Sequence, residues 1–327
     1  MTYLRKLFAR ENIAPLKRYG QNFLIDLNLH EVILAAGELS PNDVVLEVGP
    51  GAGALTARMA ETGASVVSVE IDPAMARLTR QVTAGFPRVR VLHQDALANK
   101  NTIAPEVLAA VREELGKGES ATPRPFKLVA NLPYNIATPL ISNLLVDPEL
   151  HPERIIATIQ LELAQRMLSS PSSPEYGALA VLVQALTETE ILRVLSPKVF
   201  WPRPQVESAI LRMLPNAAKR DRVGDVSWFH RVVRQIFLHR RKNLRRVLHG
   251  FHRDALSKPE IDAMLSGIGL VGEVRAEAMT VDQHITLAHA LKALLNRRDD
   301  HHTADFDGDA ADEAGSLGET PPGRDAR

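Results

Sequence analysis

The sequence predicts an α/β fold, a doubly wound domain followed by a small all-α domain, and three observations carry that expectation. Apolar strand-like runs alternate with helical patterns from Val44 to Leu145, the order that builds a parallel sheet covered on both faces. Two later runs, Glu190–Leu195 and Ser208–Leu214, have no helical pattern between them and read as an antiparallel pair. Beyond them the chain becomes basic and helical. The expected divisions are 1–215 for the α/β domain, 216–298 for the helical domain and 299–327 for an acidic tail without fixed structure.

Each element has a local cause. Between Met1 and Tyr19, Arg5, Lys6 and Arg10 alternate with Leu4, Leu7 and Phe8, the pattern of a short amphipathic helix. Glu11 and the lack of a Ser-rich stretch separate it from a transit peptide. Asp26 is placed to cap a helix over Leu27–Ala36. The apolar run Val44 to Val48 then meets Gly49, Gly51 and Gly53, and a helical pattern begins at Leu55. Strand, glycine turn and helix together let backbone approach a nucleotide-like ligand closely. A second strand, Val66 to Val69, ends in Glu70, and an ionised carboxylate there accepts both hydroxyls of a ribose. The pair points to an adenosine-containing cofactor. Spacing alone leaves its identity open. Gly49-x-Gly51-x-x-Ala54 satisfies the dinucleotide fingerprint, whereas Gly49-x-Gly51-x-Gly53 is the commoner form in methyltransferases.

A third strand, Val89 to His93, leads to Asp95, which suits an adenine amine or a cap on the next segment. Asn99 to Pro125 is a polar excursion containing a helical pattern, Pro105 to Leu115, and a Gly- and Pro-bearing loop; no chemistry is assigned to it. Phe126 to Ala130 reads as a buried strand that Asn131-Leu132-Pro133-Tyr134 closes, because proline cannot donate to a ladder. The turn presents an amide and an aromatic ring at a strand's carboxyl end, where open α/β sheets bind ligands. Such a pair suits a flipped adenine. A nicotinamide enzyme has no need of that clamp, so the turn favours a methyl donor. Ile136–Leu145 is helical with Pro139 in its first turn. Arg154–Leu161 reads as a fifth strand, and Glu162–Leu168 and Tyr176–Leu186 as helices.

The formal net charge of the 327 residues is zero, yet the charge is unevenly placed. Asp299 to Arg327 holds nine acidic and two basic residues, which leaves 37 Lys and Arg against 30 Asp and Glu in the body. From Trp228 to Arg253 there are eight Lys and Arg and no acid, among them Arg240, Arg241, Lys242, Arg245 and Arg246. The spacings Arg241–Arg245 and Lys242–Arg246 place charges on one helical face. Phosphate binding by a polyanion is the physical reason to tolerate that concentration; a solvated cationic face is the alternative. Phe237, Leu244, Val247 and Leu248 read as core, and helices over Lys258–Ser266 and Val281–Leu295 complete the domain. The tail is too polar to fold alone. The absence of cysteine excludes disulfides, thiolate catalysis and Cys-ligated zinc, and no metal site is expected, His301-His302 being isolated. No apolar run approaches the roughly 18 residues of a membrane span, and a cytoplasmic location is expected.

Together the motifs resemble the S-adenosylmethionine-dependent rRNA adenine N6,N6-dimethyltransferases that act near the 3′ end of small-subunit (16S) rRNA. The matching pieces are Tyr19-Gly-Gln-Asn-Phe-Leu24, Glu47-Val-Gly-Pro-Gly-Ala-Gly53, Val69-Glu-Ile-Asp72, Asn131-Leu-Pro-Tyr134, Phe200-Trp-Pro-Arg-Pro-Gln-Val-Glu-Ser-Ala209, Arg240-Arg-Lys-Asn-Leu244 and Arg275-Ala-Glu-Ala278. The resemblance implies a Rossmann-like methyltransferase domain. It puts Asn22, Leu24, Gly49, Gly51, Glu70, Asp95 and Asn131 at the cofactor, and Asn131, Leu132, Pro133 and Tyr134 around the target adenine. It also implies a monomer acting on rRNA within an immature 30S subunit. Leu161 stands where the family usually has Lys. Adenine methylation of large-subunit rRNA or DNA, and a non-catalytic role in ribosome assembly, are the alternative functions.

Overall fold

The computed structural model describes residues 3–16, 19–117 and 123–312. Its centre is a seven-stranded sheet. The strands are β1 (Val44–Val48), β2 (Ser65–Glu70), β3 (Val89–His93), β4 (Phe126–Asn131), β5 (Arg154–Gln160), β6 (Thr187–Leu195) and β7 (Ser208–Pro215). They lie in the order β3-β2-β1-β4-β5-β7-β6. All neighbours from β3 to β5 are parallel, and β7 runs against both β5 and β6. The order reverses between β1 and β4, so their carboxyl ends open a crevice side by side.

Alternate residues of β1 serve two cores, as the pleat requires. Val44, Leu46 and Val48 pack with α5 (Pro105–Gly116) and α6 (Ala137–Val146). Val45 packs on the other face with α2 (Leu27–Gly37) and α3 (Ala54–Glu61). Before them, α1 (Tyr3–Arg10) buries Leu7 and Phe8. Phe8 sets its edge against Phe23 and against Trp201, each at 5.2 Å between ring centroids. Asp26 caps α2 as expected, its side chain accepting from Asn28 N at 3.0 Å. A two-residue strand, Phe23–Leu24, pairs antiparallel with Phe200–Trp201 and ties the N-terminal segment to the loop before β7.

The polar excursion is more ordered than its composition predicts. A small hairpin, Leu97–Asn99 with Thr102–Ile103, precedes α5, and Asn101 Oδ1 accepts from Arg234 Nη1 at 3.1 Å. Its far end is held by Arg124, which donates to the carbonyl oxygens of Asn42, Asp43 and Glu114 at 2.8–3.0 Å. Residues 118–122 of the expected loop lie outside the described residues.

After α4 (Pro73–Val82) and α7 (Leu161–Met167), helix α8 (Ala178–Leu186) is apolar almost all round and accordingly buried. It lies between the sheet and the C-terminal helices: α9 (Ala217–Val223), α10 (Val226–Phe237), α11 (Leu244–Phe251), α12 (Lys258–Gly267) and α13 (Val281–Asp312). Val181 and Val183 of α8, Val232 and Ile236 of α10 and Leu287 and Leu291 of α13 share one hydrophobic core with β1, β4 and β5. The expected end of the α/β portion at 215 coincides with the end of β7, but the core does not break there. Helix α13 runs on to Asp312, past the expected start of the tail at 299. Extending an existing helix needs no new nucleus. Residues 313–327 of the tail lie outside the described residues.

Opposite the crevice, Lys127 Nζ bonds Asp43 Oδ2 at 2.8 Å and the Glu38 carbonyl at 2.7 Å. Both charged side chains are buried. Lys127→Met leaves Asp43 buried without its cation, a loss of about 3–5 kcal/mol. Urea unfolding is expected to show that loss at unchanged m-value, and a midpoint equal to the native protein's would refute it.

Candidate active site

Three short segments converge at the carboxyl ends of β1 and β4: residues 20–24, 49–53 and 131–134. Their contact depends on missing side chains. Gly49 has φ +77°, and a Cβ on it would stand 2.9 Å from Cγ and Cδ of Pro133. A Cβ on Gly51, φ +58°, would stand 2.7 Å from the Phe23 ring. Sequence reasoning assigned these glycines to ligand approach. The structure shows that protein already occupies the space beside them, so they are also where one turn is packed against another.

Asn131 is held by a bond that orients its amide. Its Nδ2 donates to the Asn22 carbonyl at 3.0 Å. A carbonyl can only accept, so the nitrogen must face Asn22 and Oδ1 is the atom left for a ligand. Asn22 is steadied in turn by its own Nδ2, which donates to the Gly20 carbonyl at 3.2 Å. Leu132 N donates to the Thr158 carbonyl at 3.1 Å, carrying the β4–β5 pairing one step past the strand. Pro133 offers its carbonyl to Ile136 N at 3.1 Å, which starts α6. The Tyr134 hydroxyl lies 2.6 Å from Ser208 Oγ, and burial raises its pKa above the ordinary phenol value.

On the other side of the crevice, Glu70 Oε2 accepts from Gly51 N at 3.2 Å and Oε1 from Asp72 N at 2.9 Å. Burial pushes this carboxyl up to about 7, opposed by those two backbone donors. Burial likewise pushes Glu47 up to about 7 against the hydroxyl bonds of Thr56 and Ser68, and the Glu70 charge adds to the rise. Glu47 points to the α3 side, where Thr56 Oγ1 approaches to 2.6 Å. Asp95 has the capping role weighed for it, Oδ1 accepting from Leu97 N at 2.9 Å.

One cavity of about 350 Å³ brings together Asn22, Gly49, Gly51, Glu70, Asp95, Asn131, Leu132, Pro133 and Tyr134. Leu24 is the exception: it lines an adjoining, more apolar cavity of about 410 Å³ that shares Gly49 and Asn131 with the first. Tyr19, Ile71 and Gln94 also line the main cavity and were not foreseen. Nor was the part played by Ser208, although the Phe200–Ala209 motif contains it.

The basic segment departs from the expected helical face. Asn243 caps α11, its side chain accepting from Arg246 N at 3.0 Å, so Arg241 and Lys242 lie in the turn before the helix. Leu244 N and Arg245 N donate to the carbonyls of Val274 and Gly272 at 2.8 and 3.1 Å. The free donors of this helix start are thereby satisfied, and any anion held here must be held by side chains. Arg240 is turned toward the fold: Nη1 donates to the Pro174 carbonyl at 2.8 Å, and Nε faces Glu277 at 3.5 Å. Arg245 pairs with Asp262 at 2.9 Å. Among the described residues, Arg241, Lys242 and Arg246 are paired with no carboxylate.

Residues 15–292 match the family model of the ribosomal RNA adenine dimethylases. The chain belongs to that family. It is 34% identical over 286 residues to the ribosomal RNA small subunit methyltransferase A of Moorella thermoacetica, covering 88% of this chain and 96% of that one. It is 35% identical over 291 residues to the protein of the same name from Ligilactobacillus salivarius, covering 89% and 94%. Among solved structures, a dimethyladenosine transferase from Plasmodium falciparum superposes with a TM-score of 0.65 at 19% identity, covering 82% of this chain and 97% of that one, a likeness of fold. The 23S rRNA methyltransferase ErmE superposes with a TM-score of 0.55 at 26% identity, covering 83% and 100%. The Rossmann-like methyltransferase class expected from the motifs therefore holds.

Glu70 also makes a prediction about the ligand-free protein. Its folded pKa is above the unfolded one, so its contribution to stability is full below the ordinary carboxylate range and is lost as pH rises through about 7. Melting curves between about pH 5 and pH 8 are expected to show Glu70→Gln gaining on the native protein as pH rises. Parallel profiles for the two proteins would contradict the buried, proton-retaining carboxyl.

Proposed function

We propose that this enzyme transfers methyl groups from S-adenosylmethionine to N6 of two adjacent adenines near the 3′ end of small-subunit rRNA. The observation that carries the reading is the Asn131 amide. Its nitrogen is committed to the Asn22 carbonyl, and its oxygen is left in a cavity that also holds Tyr134.

The residues present suit the cofactor. Each Glu70 oxygen accepts one backbone N–H and retains lone pairs for ribose hydroxyls. Asp95 has a second carboxylate oxygen for the adenine amine, and Asn22, Gly49 and Gly51 border the same space. When bound, S-adenosylmethionine supplies an activated sulfonium methyl group. An adenine amine is a poor nucleophile because its lone pair is delocalised into the ring. Asn131 Oδ1 and the Leu132 carbonyl accept its two hydrogens, which favours a pyramidal nitrogen with its lone pair directed at the reacting carbon. Tyr134 stacks on the base and offsets part of the cost of flipping it. The Ser208 hydroxyl anchors the tip of that ring. The remaining work is alignment. No strong base is needed, since the proton becomes acidic once the nitrogen is cationic. A second transfer requires the pocket to admit an amine already carrying one methyl.

Residues 216–298 act as the RNA-binding part, with Arg241, Lys242 and Arg246 as the free cations, and Arg240 and Arg245 contributing less because the fold engages them. The rRNA is presented within an immature 30S subunit, and the enzyme acts as a cytoplasmic monomer. Among the described residues no helix is long and apolar enough to cross a membrane. The 34–35% identity to small-subunit enzymes, against 26% to the 23S enzyme, supports the small-subunit substrate.

Asn131→Ala is expected to lower methyl transfer by roughly a hundredfold or more, the scale of losing one aimed polar group in an active site, while retaining most cofactor affinity. A labelled-methyl assay on undermethylated small subunits, naked small-subunit rRNA and duplex DNA checks both the variant and the substrate. Near-native transfer by the variant would remove Asn131 from the chemistry, and preferential labelling of DNA would overturn the substrate. Arg241→Gln with Lys242→Gln is expected to reduce the slope of log affinity against log salt by about one to two, and Arg245→Gln by less. An unchanged slope for the double variant would favour a merely solvated face.

A further inference from the structure

The turn between α10 and α11 places His239 beside Phe251, with ring centroids 6.2 Å apart and planes 29° from parallel. Both residues are exposed, Phe251 to 37%. They share a cavity of about 220 Å³ with Lys242, Arg246, Val247 and Gly250. Its composition is unlike the rest of the basic surface. One wall is aromatic, one is the backbone of a helix, and two cations stand at the rim with no carboxylate partner among the described residues.

Gly250 sharpens the picture. It lies inside α11, where glycine is the poorest helix former after proline. Packing does not require it, since a Cβ there would meet nothing within 4 Å. The effect of the missing side chain is to keep the space over the helix open. An exposed aromatic face with adjacent cations is what an unstacked nucleobase and its flanking phosphates bind. A fully paired RNA helix cannot offer such a base, because its bases are stacked within the duplex.

We infer that the His239–Phe251 cavity is a second nucleobase site, which takes one unpaired nucleotide of the RNA substrate, distinct from the adenine that is methylated. The base lies against Phe251 and His239 over Gly250, and its phosphates meet Lys242 and Arg246. This rests on the reading that the helical region binds RNA, and it adds that the region distinguishes an unpaired nucleotide from continuous duplex.

The test compares two RNA hairpins closed by a non-nucleotide linker in place of a loop, one with a single-nucleotide bulge and one fully paired, binding to the full-length protein. Phe251→Leu is expected to weaken binding of the bulged hairpin by about fivefold or more, the lower end of one base–aromatic stack, and to leave the paired hairpin within about twofold. Phe251→Trp is expected to restore the preference, which separates a lost stack from a damaged fold, and the salt slope is expected to stay native in both. Equal loss for the two hairpins, or no loss for either, overturns the base site. Lys242→Gln with Arg246→Gln tests the underlying reading separately: a reduced salt slope with both hairpins upholds RNA binding here whatever Phe251 does, and a native slope overturns both.

Discussion

The close approach of two strand-end turns is the constraint on which the site depends. Pro133 lies against the bare α-carbon of Gly49, and any side chain there would meet its ring at 2.9 Å. That contact lets the turn after β4 stand beside the turn after β1 at the reversal of strand order. Asn131 then reaches across to the Asn22 carbonyl, and Phe23, remote from Gly51 in sequence but packed on it in space, closes the third side. The crevice is thus walled by main chain and rings, and the side chains of Asn22, Glu70, Asp95, Asn131 and Tyr134 are each held by a partner.

Electrostatics around the crevice follow from the same crowding. Glu47 and Glu70 occupy adjacent strands at the site and are both buried. Burial pushes each up to about 7, and the Glu70 charge adds a smaller rise at Glu47. At the opposite end of the sheet the fold takes another course and pairs Asp43 with Lys127. The same fold thus keeps one end neutralised by an internal ion pair and leaves the other in need of hydrogen-bond donors. A ligand bearing hydroxyls meets that need.

Much of this was legible in the sequence because it is local. The run Val44–Val48, the glycines after it, Glu70 at the end of β2 and the Asn131–Tyr134 turn each have a spacing or composition that local physics explains. The antiparallel β6–β7 pair and the buried Leu244, Val247 and Leu248 were readable for the same reason. What was not readable depends on distant partners. Tyr134 and Ser208 are 74 positions apart, and no periodicity joins them. The helical face drawn through Arg241 and Arg245 fails at Asn243, a good capping residue, and the cap is secured by carbonyls near Arg275 from a loop remote in sequence. Arg240 was counted as a free cation because nothing in its surroundings along the chain reveals Pro174 and Glu277 as its partners.

The unbroken core between sheet and C-terminal helices has a mechanical consequence. Helices α8, α10 and α13 share buried contacts with β1, β4 and β5, and a large apolar junction resists the hinge motion expected of loosely joined domains. The free cations before and within α11 therefore stand at a set distance and angle from Asn131. An RNA gripped by those cations would be measured as if by calipers, and only a nucleotide lying one fixed span from the grip would reach the crevice. Selection of the adenine would then come as much from the rigidity of the protein between the two sites as from anything the pocket touches.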